Sequence, residues 1–298
     1  MRNSELLENL MKNKPIVKVG GAYDALSAKL VETSGFDAIW AGSFAISATH
    51  ALPDASILTM TDFLRVAENM VDACEIPVIA DCDTGFGGPA NVSHAVKKYE
   101  KAGIAGISIE DKTFPKQNSL SENSNQKLLS EKEFVAKIIA ARDAKKEKEF
   151  IIIARTEALI AEKGMAEAIK RARAYEDAGA NAILIHSKQQ TPEEIFEFSE
   201  NWNGSIPLVV VPTSYPSVKI SQLIDHKIKM IIYANQSLRV AHHFIAKVLD
   251  EIISNESIKD AKTTMSSMED IFKLQEMYKI NEQEKSIEED LKRMGYIN

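Results

Sequence analysis

The chain has 298 residues, 45% hydrophobic and 27% charged, with a formal net charge of −7. That composition is globular, and the acidic balance argues against nucleic acid or an anionic membrane as a partner. No apolar run approaches the roughly 20 residues that span a bilayer. Cys74 and Cys82 supply neither a disulfide framework nor a zinc cluster, so a reducing cytoplasm is the expected compartment.

The first fifteen residues, MRNSELLENLMKNKP, are amphipathic and charged, without a signal-peptide core. Short apolar runs then alternate with stretches of helical spacing. The runs are PIVKVG, FDAIWA, PVIADC, GISIE, FIIIAR, AILIHS, PLVVVP and MIIYAN. They are rich in Ile and Val without strict alternation, as parallel strands buried on both faces should be. Between them, Ala25–Ser34, Thr61–Ala73, Ala90–Ala102, Glu131–Lys145 and Met165–Ala178 carry helical patterns. AGI at Ala102–Ile104 and AGA at Ala178–Ala180 read as helix stops leading into strands. Eight strand–helix units predict an α/β fold, a (β/α)8 TIM-type barrel, more simply than an open sheet.

A helix is expected from about Leu238 to Ser254, and another capped by Ser267 with an apolar stripe of Ile271, Leu274 and Met277. The last residues read as a solvated helix and tail. Residues 1–298 are thus expected to form one barrel domain with a helical extension from about 255. The extension's apolar stripe needs a partner, either a second subunit or its own barrel.

Functional residues of such barrels sit at the C-terminal ends of strands. Those ends carry Trp40 to Ser43, Asp81 to Gly87, the trio Glu110, Asp111 and Lys112, then Arg155 with Glu157, His186 and Asn235. Asp81 and Asp83, two apart on a strand, should point the same way and repel unless a cation intervenes. Oxygen ligands with retained water suit Mg²⁺, and Glu110 could complete the shell; the plainer alternative is that these acids cap helices and pair with Lys or Arg. Arg155 suits a carboxylate or phosphate, or an ion pair with Glu157 or a neighbouring strand-end acid. His186 is a wall residue or a catalyst, Trp40 core or pocket wall, and Cys82 a small buried residue. The polar segment from Lys112 to Leu129 is long enough to be a lid carrying Lys116, Asn118 and Ser119. The TGFGG stretch lacks Walker spacing and reads as a tight turn.

Glu110, Asp111, Lys112, Pro115, Lys116, Asn118 and Ser119 complete the pattern EDKxxPKxNS. With GAYDALSAKLVETSGFDAIW, DCDTG, ARTEALIA, AGANAILIHSK, VVVPT and IYANQSLR in order, the chain resembles the phosphoenolpyruvate mutase branch of the isocitrate lyase superfamily from about Gly21 to Lys273. The resemblance implies Mg²⁺, for which Mn²⁺ can substitute, organised by Asp81, Asp83 and Glu110, with Asp81 the direct ligand. It implies backbone N–H groups of Ser43 and Phe44 on the substrate carboxylate, with Trp40 as wall. Asp54 would lie nearest the migrating phosphoryl group, Arg155 would hold its oxygens, and His186 would line the pocket. Lys116, Asn118 and Ser119 would belong to a gating loop. One departure is visible: where the family reads W-G-S-G, this chain reads W-A-G-S, which puts the family's serine contact in doubt.

The implied reaction interconverts phosphoenolpyruvate and phosphonopyruvate, in a dimer of dimers with helices exchanged between subunits. Rival expectations are a phosphonopyruvate hydrolase, against which Asn118 argues, and a carbon–carbon lyase, whose lid would carry K-[KR]-C-G-H. A non-catalytic, metabolite-binding barrel would have lost one of its acids.

Overall fold

A computed structural model describes residues 1–121 and 126–297. Residues 122–125 of the expected lid, and Asn298, lie outside the described residues. The chain divides into two compact units, Met1–Arg239 and Val240–Asn298.

The elements run α1 (Asn3–Asn13), β1 (Val17–Ala22), α2 (Ala25–Thr33), β2 (Ala38–Ala41), α3 (Ser43–Thr49), α4 (Met60–Ala73), β3 (Val78–Asp81), α5 (Pro89–Lys101) and β4 (Gly106–Glu110). They continue α6 (Glu131–Ala144), β5 (Ile151–Thr156), α7 (Met165–Ala178), β6 (Ala182–Ile185), α8 (Glu193–Asn201), β7 (Leu208–Val210), α9 (Ile220–Asp225), β8 (Ile228–Tyr233) and α10 (Gln236–Asn255). The eight strands pair in sequence order and in parallel, and β1 closes on β8. This is the (β/α)8 barrel expected from the alternation of apolar runs.

Strand alternation sorts the core into two layers. Val17, Val19, Trp40, Ile79, Ile153, Leu184, Val209 and Ile232 fill the interior. Ile39, Val78, Ile107, Ile152, Ile183 and Val210 face the helices. The interior cluster also holds Leu7, fully buried, and Met11 of α1; they are the apolar stripe of the amphipathic opening. At the other end, Gly21 lies so close to β8 that a Cβ there would stand 2.1 Å from the Ala234 carbonyl oxygen, so only glycine fits.

Helix ends follow sequence chemistry. Thr59 and Ser130 accept from Asp62 N and Glu133 N as capping boxes. The left-handed Gly103 and Gly179 (φ 80° and 106°) end α5 and α7, as their AGI and AGA contexts predict.

Within the second unit, Ser267 caps α11 (Met268–Leu274) as expected, accepting from Asp270 N. Met277 does not continue the stripe of Ile271 and Leu274. Glu276, at φ 54°, breaks the helix, and Met277 opens α12 (Met277–Arg293). Val240, Phe244, Ile245, Leu249 and Ile253 of α10 are exposed.

Candidate active site

The inward register of the interior core runs on beyond its apolar layers and turns polar at the C-terminal ends. Ile79 leads to Asp81, Ser108 to Glu110, Ile153 to Arg155 and then Glu157, and Leu184 to His186. Parallel pairing sets Asp81 beside Ser108, and Glu110 beside Arg155. The strands thus deliver three carboxylates, a guanidinium and an imidazole to one mouth.

Asp83 departs from the strand geometry its spacing suggested. β3 ends at Asp81, and Asp83 takes a left-handed conformation (φ 50°) in the turn that follows. Its N–H donates to Asp81 Oδ1 at 3.2 Å, and its side chain meets Lys116 of the lid at 2.5 Å. Burial, aided by Asp81 and Asp54, pushes the Asp83 carboxyl up to about 6 in spite of Lys116. Cys82 points outward into the helix-facing core, where burial raises its thiol pKa well above normal; it is packing, not a nucleophile.

The lid lies over the mouth. Lys116 is buried, and its ammonium contacts Asp54 at 2.9 Å, Asp83 at 2.5 Å and the Ser43 hydroxyl at 3.1 Å. Burial opposes its charge, but Asp83, Asp54, Glu110 and Asp81 outweigh that and hold its pKa well above the usual lysine range. Asn118 Nδ2 donates to Asp54 Oδ2 at 2.7 Å. Both oxygens of Asp54 therefore receive lid groups. The Ser119 hydroxyl donates to Glu157 Oε2 at 2.6 Å and accepts from Arg155 Nη2 at 3.0 Å.

Arg155 satisfies both readings of its sequence position. Its Nε pairs with Glu157 at 2.6 Å and lies 3.3 Å from Glu110, while the residue also lines the cavity. His186 Nδ1 lies 3.0 Å from Glu157 and 2.8 Å from Arg155 Nη2. Burial and the Arg155 charge lower its pKa, which keeps the imidazole neutral at pH 7. For Glu157, burial opposes ionisation, yet Arg155, His186 and Lys112 hold it well below the ordinary carboxylate range.

After β2 the chain turns at Gly42 into α3. Ser43 and Phe44 are in its first turn, where backbone N–H groups lack helical acceptors. The W-A-G-S departure does not empty the site of a serine. Ser43 Oγ donates to Asp81 Oδ2 at 3.0 Å while receiving Lys116.

Trp40, Ser43, Phe44, Asp54, Asp81, Glu110, Lys116, Asn118, Ser119, Arg155 and His186 line one cavity of about 290 Å³. Asp83 lies behind it, on the wall of a neighbouring cavity. The sequence reading left Glu157 as a mere ion-pair partner and gave Lys112 and Asp111 no role. The two-residue spacing of Arg155 and Glu157 was the available signal. Asp111, fully buried, accepts from Glu157 N at 2.8 Å, Tyr175 Oη at 2.6 Å and Arg171 Nη1 at 3.2 Å, and so braces the end of β5.

The donor set fits a water-rich divalent cation. Counted ionised, Asp54, Asp81, Asp83, Glu110 and Glu157 are five negative charges against Lys112, Lys116 and Arg155, an excess of two. Glu110 Oε1 is buried without a hydrogen-bond partner. Among the described residues no three His, Cys, Asp or Glu side chains close round one point, so direct ligation falls to few protein oxygens and the rest to water.

A family model described as phosphoenolpyruvate phosphomutase matches residues 7–253. The chain belongs to the phosphoenolpyruvate phosphomutase family. Among its relatives, the phosphonopyruvate hydrolase of Variovorax sp. (strain Pal2) is 41% identical over 92% of this chain and 95% of its own. The phosphoenolpyruvate phosphomutase of Tetrahymena pyriformis is 38% identical over 92% and 91%. A solved phosphoenolpyruvate phosphomutase from Streptomyces platensis subsp. rosaceus superposes with a TM-score of 0.93 at 41% identity, covering 95% of this chain and 98% of that one. A phosphonopyruvate hydrolase solved with oxalate and Mg²⁺ gives 0.89 at 39%, covering 94% and 97%. The chain is thus similar to both mutases and a hydrolase.

Proposed function

We propose that the protein is a Mg²⁺-dependent phosphoenolpyruvate mutase, an intramolecular phosphotransferase. It moves phosphorus from the enol oxygen of phosphoenolpyruvate to C3, breaking P–O and forming P–C, and runs the reverse. The observation that carries this reading is Asn118 of the lid seated on Asp54, with Lys116 on the other oxygen of the same carboxylate. A lid that brings an amide and an ammonium to the acid beside phosphorus excludes water from it, and without that exclusion transfer becomes hydrolysis.

Loose phosphoryl transfer asks for positioning and electrostatics rather than covalent help. Ser43 and Phe44 offer N–H groups to the substrate carboxylate against Trp40. Arg155, aimed by Glu157, holds phosphoryl oxygens, and neutral His186 lines the same wall. An ionised Asp54 serves the transfer whether it attacks phosphorus or steadies a metaphosphate-like group. Asp81 would ligate Mg²⁺ directly, with Asp83 and Glu110 engaged through water; when bound, the ion supplies Lewis-acid stabilisation of carboxylate and enolate charge. Mn²⁺, with the same oxygen preference, is expected to substitute.

Phosphonopyruvate hydrolysis is the second reading, favoured by the 41% identity to a hydrolase. A carbon–carbon lyase is disfavoured by a lid without cysteine. Incubation with phosphonopyruvate and Mg²⁺, followed by ³¹P NMR, decides: phosphoenolpyruvate marks the mutase, phosphate with pyruvate the hydrolase. The exposed apolar residues of Val240–Asn298 support association with further copies, in a dimer of dimers. No helix among the described residues is long and apolar enough to cross a membrane, and cytoplasmic residence is part of the same proposal.

A further inference from the structure

Lys112 opens the lid, yet its side chain is 2% exposed. Its ammonium meets three oxygens: the Gln117 carbonyl at 2.8 Å, the Ser119 hydroxyl at 2.5 Å and Glu157 Oε2 at 3.1 Å. Three donors meet three acceptors, so the group is saturated. Two of the acceptors belong to the lid. The third belongs to the end of β5.

The lid's other fixings are elsewhere. At its base, Thr113 N donates to Lys127 O and Leu129 N to Asp111 O, a short antiparallel pairing around Lys112 and Leu128. Farther along, Lys116 and Asn118 rest on Asp54. Lys112 instead draws Gln117 and Ser119 toward β5, and there the lid touches the guanidinium. The Ser119 hydroxyl takes a hydrogen bond from Lys112 and another from Arg155 Nη2 while donating to Glu157. Glu157 holds Arg155 Nε with its other oxygen. The aim of Arg155 is therefore set from two sides, by a barrel carboxylate and by a lid hydroxyl. Lifting Ser119 takes one acceptor from Arg155, one from Lys112, and one donor from Glu157, all in a site nearly closed to water.

We infer that Lys112 and Glu157 form a buried latch that couples closure of the lid to the aim of Arg155. Both are positioning residues, acting through Ser119 and Arg155. A static ion pair of the same residues would stabilise the barrel without reporting on the lid. The kinetic part of the inference rests on the mutase reading; the part concerning the lid does not.

The test uses the full chain and three variants. Lys112→Met keeps most of the stem and removes the three donors. Ser119→Ala removes the shared hydroxyl, and Ser119→Thr keeps it. Amide hydrogen exchange is followed in segments covering 113–121 and, separately, β4 and β5. Hydrogen bonds to charged groups set the scale, so exchange in 113–121 should quicken roughly tenfold or more in Lys112→Met while β4 and β5 hold the parent rate. Ser119→Ala should quicken the same segment. The Lys112→Met/Ser119→Ala double variant should show less than the product of the two effects, because both variants break one network. Ser119→Thr should return the segment to the parent rate. On phosphonopyruvate, Lys112→Met should lower kcat more than it changes KM, and raise the share of turnovers ending in pyruvate and phosphate.

Unchanged exchange in 113–121, multiplicative effects in the double variant, or quickening spread evenly over the barrel would each overturn the latch. Should Lys112→Met not fold, the Ser119→Ala and Ser119→Thr pair decides by the same exchange criterion. A parent protein that does not turn over phosphonopyruvate removes the mutase reading and leaves the exchange result standing.

Discussion

Replacing Asp54 by asparagine keeps the shape of the side chain and changes one oxygen to an amino group. In the structure both carboxylate oxygens are in use: Oδ1 is 2.9 Å from the Lys116 ammonium, and Oδ2 accepts from Asn118 Nδ2 at 2.7 Å. Asparagine can accept from one of these donors only, and its own NH₂ must face the other. A hydrogen bond to a charged group contributes about 1.5–3 kcal/mol, so the lid-down state loses roughly that much. On the mutase reading, the negative charge beside the transferring phosphorus is lost as well, a term felt chiefly in the transition state. Together these set the loss in kcat at about a hundredfold or more, equivalent to ~2.7 kcal/mol of activation free energy. KM should move less than kcat, since the ground state depends on the phosphorus contact less. The assay is ³¹P NMR at saturating phosphonopyruvate and Mg²⁺. An Asp54→Asn enzyme that retains the parent kcat would refute the role given to this carboxylate.

Exhaustive EDTA treatment should abolish turnover and Mg²⁺ restore it, while Asp81→Ala stays inactive with an unchanged circular dichroism spectrum; activity that survives chelation counts against the metal assignment. Asn118→Ala should slow transfer and increase the fraction of product appearing as phosphate, and a parent-like product ratio would free that residue from guarding phosphorus. Asp111→Ala leaves buried Arg171 and the Glu157 N–H without their shared acceptor; breaking such a buried pair costs about 3–5 kcal/mol. At about 2 °C per kcal/mol for a chain of this size, Tm should fall by roughly 6–10 °C in a thermal melt, and a shift near zero would contradict the bracing role. Light scattering at micromolar concentration should give a mass above the monomer's 33.0 kDa, a tetramer by expectation; a monomer would leave the apolar residues of α10 without their proposed use.

The barrel was legible because parallel strands buried on both faces must be apolar throughout, and eight such runs stand between helical patterns with glycine stops. The strand-end charges were legible for the same reason: an acid that ends a run such as GISI has no core to enter. Asp83 was misread as a strand residue because spacing alone does not register the turn after Asp81, where φ becomes positive. The roles of Lys112 and Glu157 were hidden because sequence gives charge but not burial; only the fold brings the Lys112 ammonium, on a side chain 2% exposed, into contact with three protein oxygens.

 The break at Glu276 escaped for a different reason: the apolar spacing of Ile271, Leu274 and Met277 continues through it, although the backbone does not.

The lid has a further consequence for how such enzymes diverge. Its side chains complete the cavity, but Lys112, Lys116, Asn118 and Ser119 belong to neither apolar cluster that holds the barrel together. They are held instead by buried ion pairs and hydrogen bonds of their own. On the proposed reading, descendants of one barrel would part between keeping phosphorus and surrendering it to water through a few substitutions in this excursion. Whole-chain identity, 41% to a hydrolase and 38% to a mutase, does not separate the two outcomes.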